Sequence, residues 1–122
     1  MPLFRDTPYE YSATAHGFVF TAGACPLDVN GEVVAPGDVE AQAERAVDNL
    51  LAALDEAGTT QQSLVKTTVY VASDDRADLV RAWNVVSARL GPVPSTLLGV
   101  SALGWPNQLV EIEAIAIADR ES

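Results

Sequence analysis

At 122 residues the chain has the size of one domain, residues 1–122, long enough to bury about two-thirds of its unfolded surface and too short for a second core. Seventeen acidic against seven basic residues give a formal net charge of −10, which repels phosphate backbones and anionic lipid alike and sets nucleic acid aside as a partner. The single Cys25 excludes an internal disulfide, the apolar stretches are too short to span a bilayer, and no cationic segment leading into an apolar run opens the chain; a cytoplasmic location with no membrane partner is expected.

The first elements read as a hairpin. "YEYSATA" (9–15) and "GFVFTAG" (17–23) are rich in aromatic and β-branched residues and meet at His16-Gly17, a turn pair that lets two strands fold back on each other. "CPLDVNGEVV" follows, where Asn30-Gly31 is a favoured type I′ pair and marks a short excursion.

From Asp38 the period changes. Val39, Ala43, Ala46, Val47, Leu50 and Leu54 lie on one face of a helix, with Asp38 suited to the N-cap, Glu40 to the positive end of the dipole, and Gly58 to the stop after Ala57. "SLVKTTVYVA" (63–72) alternates Val65, Thr67, Val69 and Val71 against Lys66, Thr68 and Tyr70, the period of a strand. A second helix is capped by Asp74 or Asp75, carries Leu79, Trp83, Val86 and Leu90 as its stripe and ends at Gly91. "PSTLLGVSAL" and "LVEIEAIAIA" (109–118) supply the last two strands.

The order hairpin, helix, strand, helix, strand, strand implies an α+β fold with both helices on one face of the sheet. The last strand is apolar on both sides, Val110, Ile112 and Ala114 opposing Ile115 and Ile117. The face without helices therefore needs cover, and a small homo-oligomer is the economical source of it.

Candidate chemistry is sparse. Glu111 and Glu113 project from the uncovered face of the last strand roughly 6–7 Å apart, a pair suited to general acid or base work; the plain alternative is two solvated glutamates on an edge strand. His16 reads as a turn residue, and no spacing supports a metal site, a Ser/His/Asp triad or a glycine-rich phosphate loop. Cys25 in "GACP" reads first as a small buried hydrophobe and less often as a nucleophile. Tyr9, Tyr11, Tyr70 and the tryptophans read as core before pocket.

Taken together, "YEYSATAHGFVFTAGACPLD", "GDVEAQAERAVDNLLAALDEAG", "LVKTTVYVA" and "LVEIEAIA" resemble, in order and spacing, the RidA/YjgF family of enamine/imine deaminases, also labelled endoribonuclease L-PSP. The resemblance covers nearly the whole chain. It implies a chorismate-mutase-like α+β fold, a homotrimer with small-molecule clefts between subunits, and no metal or other cofactor. It places the family's water-activating glutamate on Glu111, its N-terminal tyrosine on Tyr9 and its small-residue loop on Ala22, Gly23, Ala24 and Cys25. The family's carboxylate-binding arginine belongs in a P-x-R-S sequence, and here that place is Pro94, followed by Ser95 and Thr96. A proline ring carries no donor, so the clamp is lost unless another cation, Arg81 being the candidate, reaches the cleft; Ser95 and Thr96 would then offer neutral hydroxyls. An extended "LGWPN" segment (103–107) is placed to narrow the cleft. The expected function is hydrolytic deamination of an imine- or enamine-like metabolite with altered substrate range. The alternative is a non-catalytic trimer that binds a metabolite, and an endoribonuclease or translation inhibitor ranks last on charge.

Overall fold

The computed structural model describes residues 2–118. Eight elements follow in chain order: β1 (Ser12–Ala15), β2 (Phe18–Thr21), α1 (Val39–Glu56), a single 3-10 turn (Gln61–Ser63), β3 (Leu64–Val71), α2 (Arg76–Leu90), β4 (Ser95–Gly99) and β5 (Val110–Ile117). The five strands form one mixed sheet in the order β1-β2-β5-β3-β4, antiparallel throughout except for the β3–β4 pair that α2 connects.

The hairpin turns where expected, with His16 (φ 53°) and Gly17 (φ 81°) both left-handed, which gives the ribbon the twist its strands need. Its strands are shorter than the sequence implies, so Tyr9 and Tyr11 precede β1 and Gly23 follows β2. At Asn30-Gly31 only the glycine is left-handed (φ 82°), so the turn is not type I′. The Asp28 carboxylate accepts from the amides of Asn30 and Glu32 and Gly31 N–H donates to the Asp28 carbonyl; these local bonds replace the narrower hairpin.

α1 is capped as read, the Asp38 carboxylate accepting from Ala41 N–H at 3.0 Å. Leu50, Leu54, Val47 and Ala43 bury completely against Val69, Val71, Val110 and Ile112 of the sheet. Two amides share this buried face. Asn49 donates to the carbonyls of Cys25 (2.8 Å) and Leu27 (2.9 Å), while Gln42 donates to the Asn107 carbonyl (3.0 Å) and accepts from Leu109 N–H (2.7 Å). α2 starts at the Asp75 cap and ends at Gly91. Val65 departs from the expected alternation: the β3–β5 register shifts between Leu64 and Lys66, so Leu64 packs on the core and Val65 turns outward.

β5 is the central strand, flanked by β2 and β3, which removes the reading of its glutamates as edge residues. Val110, Ile112, Ala114 and Ala116 are buried under the helices. The opposite face is open, with Phe18 (40%), Phe20 (45%) and Ile117 (52%) exposed. Pro94 lies one residue before β4, where its carbonyl accepts from Thr67 N–H at 3.0 Å; a proline at the threshold of an edge strand withholds no ladder donor.

Asn49→Ala should cost about 1–3 kcal/mol, because two buried hydrogen bonds are lost and the Cys25 and Leu27 carbonyls keep only Leu27 N–H and Arg45 Nε as donors. Urea unfolding checks it, and a loss below about 0.5 kcal/mol, the range of an ordinary surface substitution, would show that the amide is dispensable.

Candidate functional site

Glu111 stands on the open face at the start of β5, and three features fix its carboxylate. The isolated bridge between Ala24 and Ile112 (N···O 2.6 and 3.1 Å) draws the loop after β2 against the strand. Gly23 then lies directly under the carboxylate: a Cβ built there would stand 2.0 Å from Glu111 Oε2. From the other side Gln108, itself buried, donates through Nε2 to Glu111 Oε1 at 3.0 Å and to the Val110 carbonyl at 3.1 Å, while its own Oε1 accepts from Trp105 N–H.

A cavity of about 240 Å³ opens over this carboxylate, lined by Tyr9, Ala22, Gly23, Cys25, Gly104, Trp105 and Glu111. Edge-on aromatic contacts build its rim, Tyr9 against Tyr11 and Trp105 against Phe4. Burial, reinforced by the Glu111 charge, pushes the Cys25 thiol up to about 12, with Sγ 3.5 Å from Glu111 Oε1. Burial likewise raises the Tyr9 phenol to about 12, with Cys25, Tyr11 and Glu111 adding to it. Near neutrality the Cys25 thiol and the Tyr9 phenol are therefore neutral donors beside Glu111, and no cation lines the cavity.

Tyr9, Gly23, Cys25 and Glu111 thus line one cavity, and Ala24 supports them through its backbone. Gly104 and Trp105 of the "LGWPN" segment do narrow the cavity. Pro94, Ser95 and Thr96 lie elsewhere on the protomer, at the entry of β4, because Ser95 is level with Thr67 of β3 whereas Glu111 is level with Tyr70. The Ser95 and Thr96 hydroxyls are engaged by Thr67 Oγ1 (2.7 Å) and Lys66 Nζ (2.6 Å). Arg81 is half exposed on α2, paired with Asp78 at 2.6 Å, and lines no part of the cavity. A wider groove of about 760 Å³ between β3, α2 and β4, with Ser73, Arg76 and Ser101 on its walls, contains none of the expected residues.

Gln108 was not visible as a site residue in the sequence. A polar residue just outside the apolar run of a strand looks like loop, and only its distance of three positions from Glu111 hinted at contact. Among the described residues no group of three metal-ligating side chains occurs, and no helix is long and apolar enough to cross a membrane.

The chain is similar to known proteins along most of its length. A family model described as Endoribonuclease L-PSP matches residues 5–118. A RutC family protein of Pyrococcus abyssi is 33% identical over 110 residues, covering 89% of this chain and 85% of its own. The 2-iminobutanoate/2-iminopropanoate deaminase of Escherichia coli K12 is 31% identical over 113 residues, 90% of this chain and 87% of that one. Among solved structures, RidA from an Antarctic Psychrobacter superposes with a TM-score of 0.80 at 26% identity, covering 94% of this chain and 92% of the other.

The Cys25 thiol should resist alkylation. At pH 8 iodoacetamide should label native Cys25 far more slowly than the unfolded chain, and Glu111→Gln, which removes one of the charges that raise the thiol, should speed labelling. Equal rates in native and unfolded protein would contradict the half-buried, acid-flanked thiol described above.

Proposed function

The chain belongs to the RidA/YjgF family, and from that premise we propose that it hydrolyses the C=N bond of a small imine, or of the enamine that tautomerises to it, in clefts between the subunits of a homotrimer. The observation that carries this reading is the Glu111 carboxylate, held between Gly23 and Gln108 over a cavity of small-metabolite size. The E. coli relative named as an imine deaminase supports it.

The reaction consumes one water. Glu111 takes a proton from that water as its oxygen bonds to the imine carbon, and the nitrogen gains a proton to give a carbinolamine. Glu111 then returns its proton to the amine nitrogen, which regenerates the carboxylate; the C–N bond breaks with its electron pair leaving on ammonia, and the hydroxyl proton passes to solvent to leave a carbonyl. An iminium suits this cavity electrostatically, because its positive charge would face a carboxylate with no competing cation in the lining. The neutral Tyr9 hydroxyl is available as a donor without adding charge.

Assembly is proposed on the open face. Phe18, Phe20, Ile115 and Ile117 make an apolar block there, which packing against copies of the chain would cover. The endoribonuclease label is disfavoured: a polyanion would meet a protein of formal charge −10 and a cavity whose only charged lining group is a carboxylate.

Glu111→Gln tests the chemistry at nearly constant volume. Ammonia release from an imine generated in situ should fall about 100- to 10,000-fold in kcat, with the folded state and ligand affinity largely kept. An unchanged kcat would overturn the role of Glu111. Tight binding with no ammonia released by the unsubstituted protein would establish the metabolite-binding module instead.

A further inference from the structure

The open face divides by residue type. Phe18 and Phe20 stand level with Ile117 and Ile115, whereas on β3 Lys66, Thr68 and Tyr70 stand level with Ile115, Glu113 and Glu111. Lys66 is the only lysine in the sequence, and the described arginines lie on the N-terminal segment or the helices, so Lys66 is the single cation among the described residues on this face. Its Nζ leans to β4 and donates to Thr96 Oγ1 at 2.6 Å. The ion pairs among the described residues use Arg5, Arg81 and Arg89, and none reaches Lys66 or Glu113. The Tyr70 phenol is raised by burial and then by Glu113. Between the two charges is a cavity of about 140 Å³ with Thr68 on its floor.

Two opposite charges are thus diagonal neighbours on one face, roughly 7–8 Å apart by strand geometry, yet Lys66 turns to Thr96 and no ion pair joins the two. In water that arrangement is harmless. Under a second copy of the chain both charges would lose solvent, and a desolvated ammonium or carboxylate without a counter-ion is strongly destabilising. Resting on the assembly described above, we propose that Lys66 of each subunit pairs with Glu113 of the partner subunit, and that this pair fixes the register in which the open faces meet. Since each face carries both members of the pair, Lys66 and Glu113, a head-to-tail ring satisfies every such pair.

A charge swap tests this on the full chain by sedimentation equilibrium, with far-UV circular dichroism to confirm folding. Lys66→Glu and Glu113→Lys alone should each weaken assembly at least about 100-fold, and the double swap should recover most of that loss. Lys66→Met, which deletes the charge without reversing it, should also weaken assembly and keeps the test readable if a reversal misfolds. Should the unsubstituted protein assemble while the single variants do so equally well, or should the double swap do no better than either single, the pairing is wrong and the assembly stands. A monomeric unsubstituted protein would overturn both.

Discussion

Two amide side chains on the buried face of α1 hold the loops that meet at Glu111. Asn49 fastens the segment Cys25–Leu27 and Gln42 fastens Asn107–Leu109, so one helix grips the chain on both sides of the site. Gln108 sits inside the second of these segments and reaches the carboxylate. Gly23 sits beside the first and leaves the carboxylate its space. Gln42 pairs the Leu109 N–H, a group whose loss of a partner would cost about 1–3 kcal/mol, and Asn49 adds a second bond to carbonyls that Leu27 N–H and Arg45 Nε also reach. The site is therefore as rigid as the helix–sheet core under it, which is the condition for a carboxylate to act on a water held in one place.

The electrostatics follow from the same packing. Glu111 is oriented by a neutral amide and surrounded by a neutral thiol and phenol, both raised to about 12 chiefly by burial. A cavity of this kind favours a ligand that brings its own positive charge or hydrogen-bond donors. It offers a carboxylate no cation. At the β4 entry, where the family resemblance places an arginine, Pro94 contributes only its carbonyl to β3, and Arg81 is committed to Asp78 on another surface.

The sequence was legible where one period ruled a whole element. Both helices, their aspartate caps and their glycine stops stand where periodicity put them, as does the alternation that sends Glu111 away from Ile112. It was less legible where one residue breaks a repeat: the shift between Leu64 and Lys66 turns Val65 outward, and nothing in an alternating run of β-branched residues announces such a slip. Asn30-Gly31 misled because a side chain, that of Asp28, decides the turn. Gln42 and Asn49 were readable in principle, since two amides seven positions apart inside an apolar stripe must bond to something buried. Loop residues such as Gln108 and Trp105 join the site through tertiary contacts that no local pattern encodes, and Ser95 and Glu111 stand level with different positions of β3.

The central claim is an imine-hydrolysing carboxylate without a carboxylate clamp, and the substrate preference of the unsubstituted protein tests it most directly. Rates of ammonia release from a 2-imino acid should be compared with those from a neutral imine of similar size, alongside an arginine-bearing member of the family. Truncating one partner of a buried charge pair is worth roughly 2–5 kcal/mol, so kcat/KM on the imino acid should fall roughly thirty- to several-thousand-fold below that of the arginine-bearing enzyme, with no such deficit on the neutral imine. Equal kcat/KM on the imino acid would contradict the account, because some cation would then be supplying the anchor that Pro94 lacks.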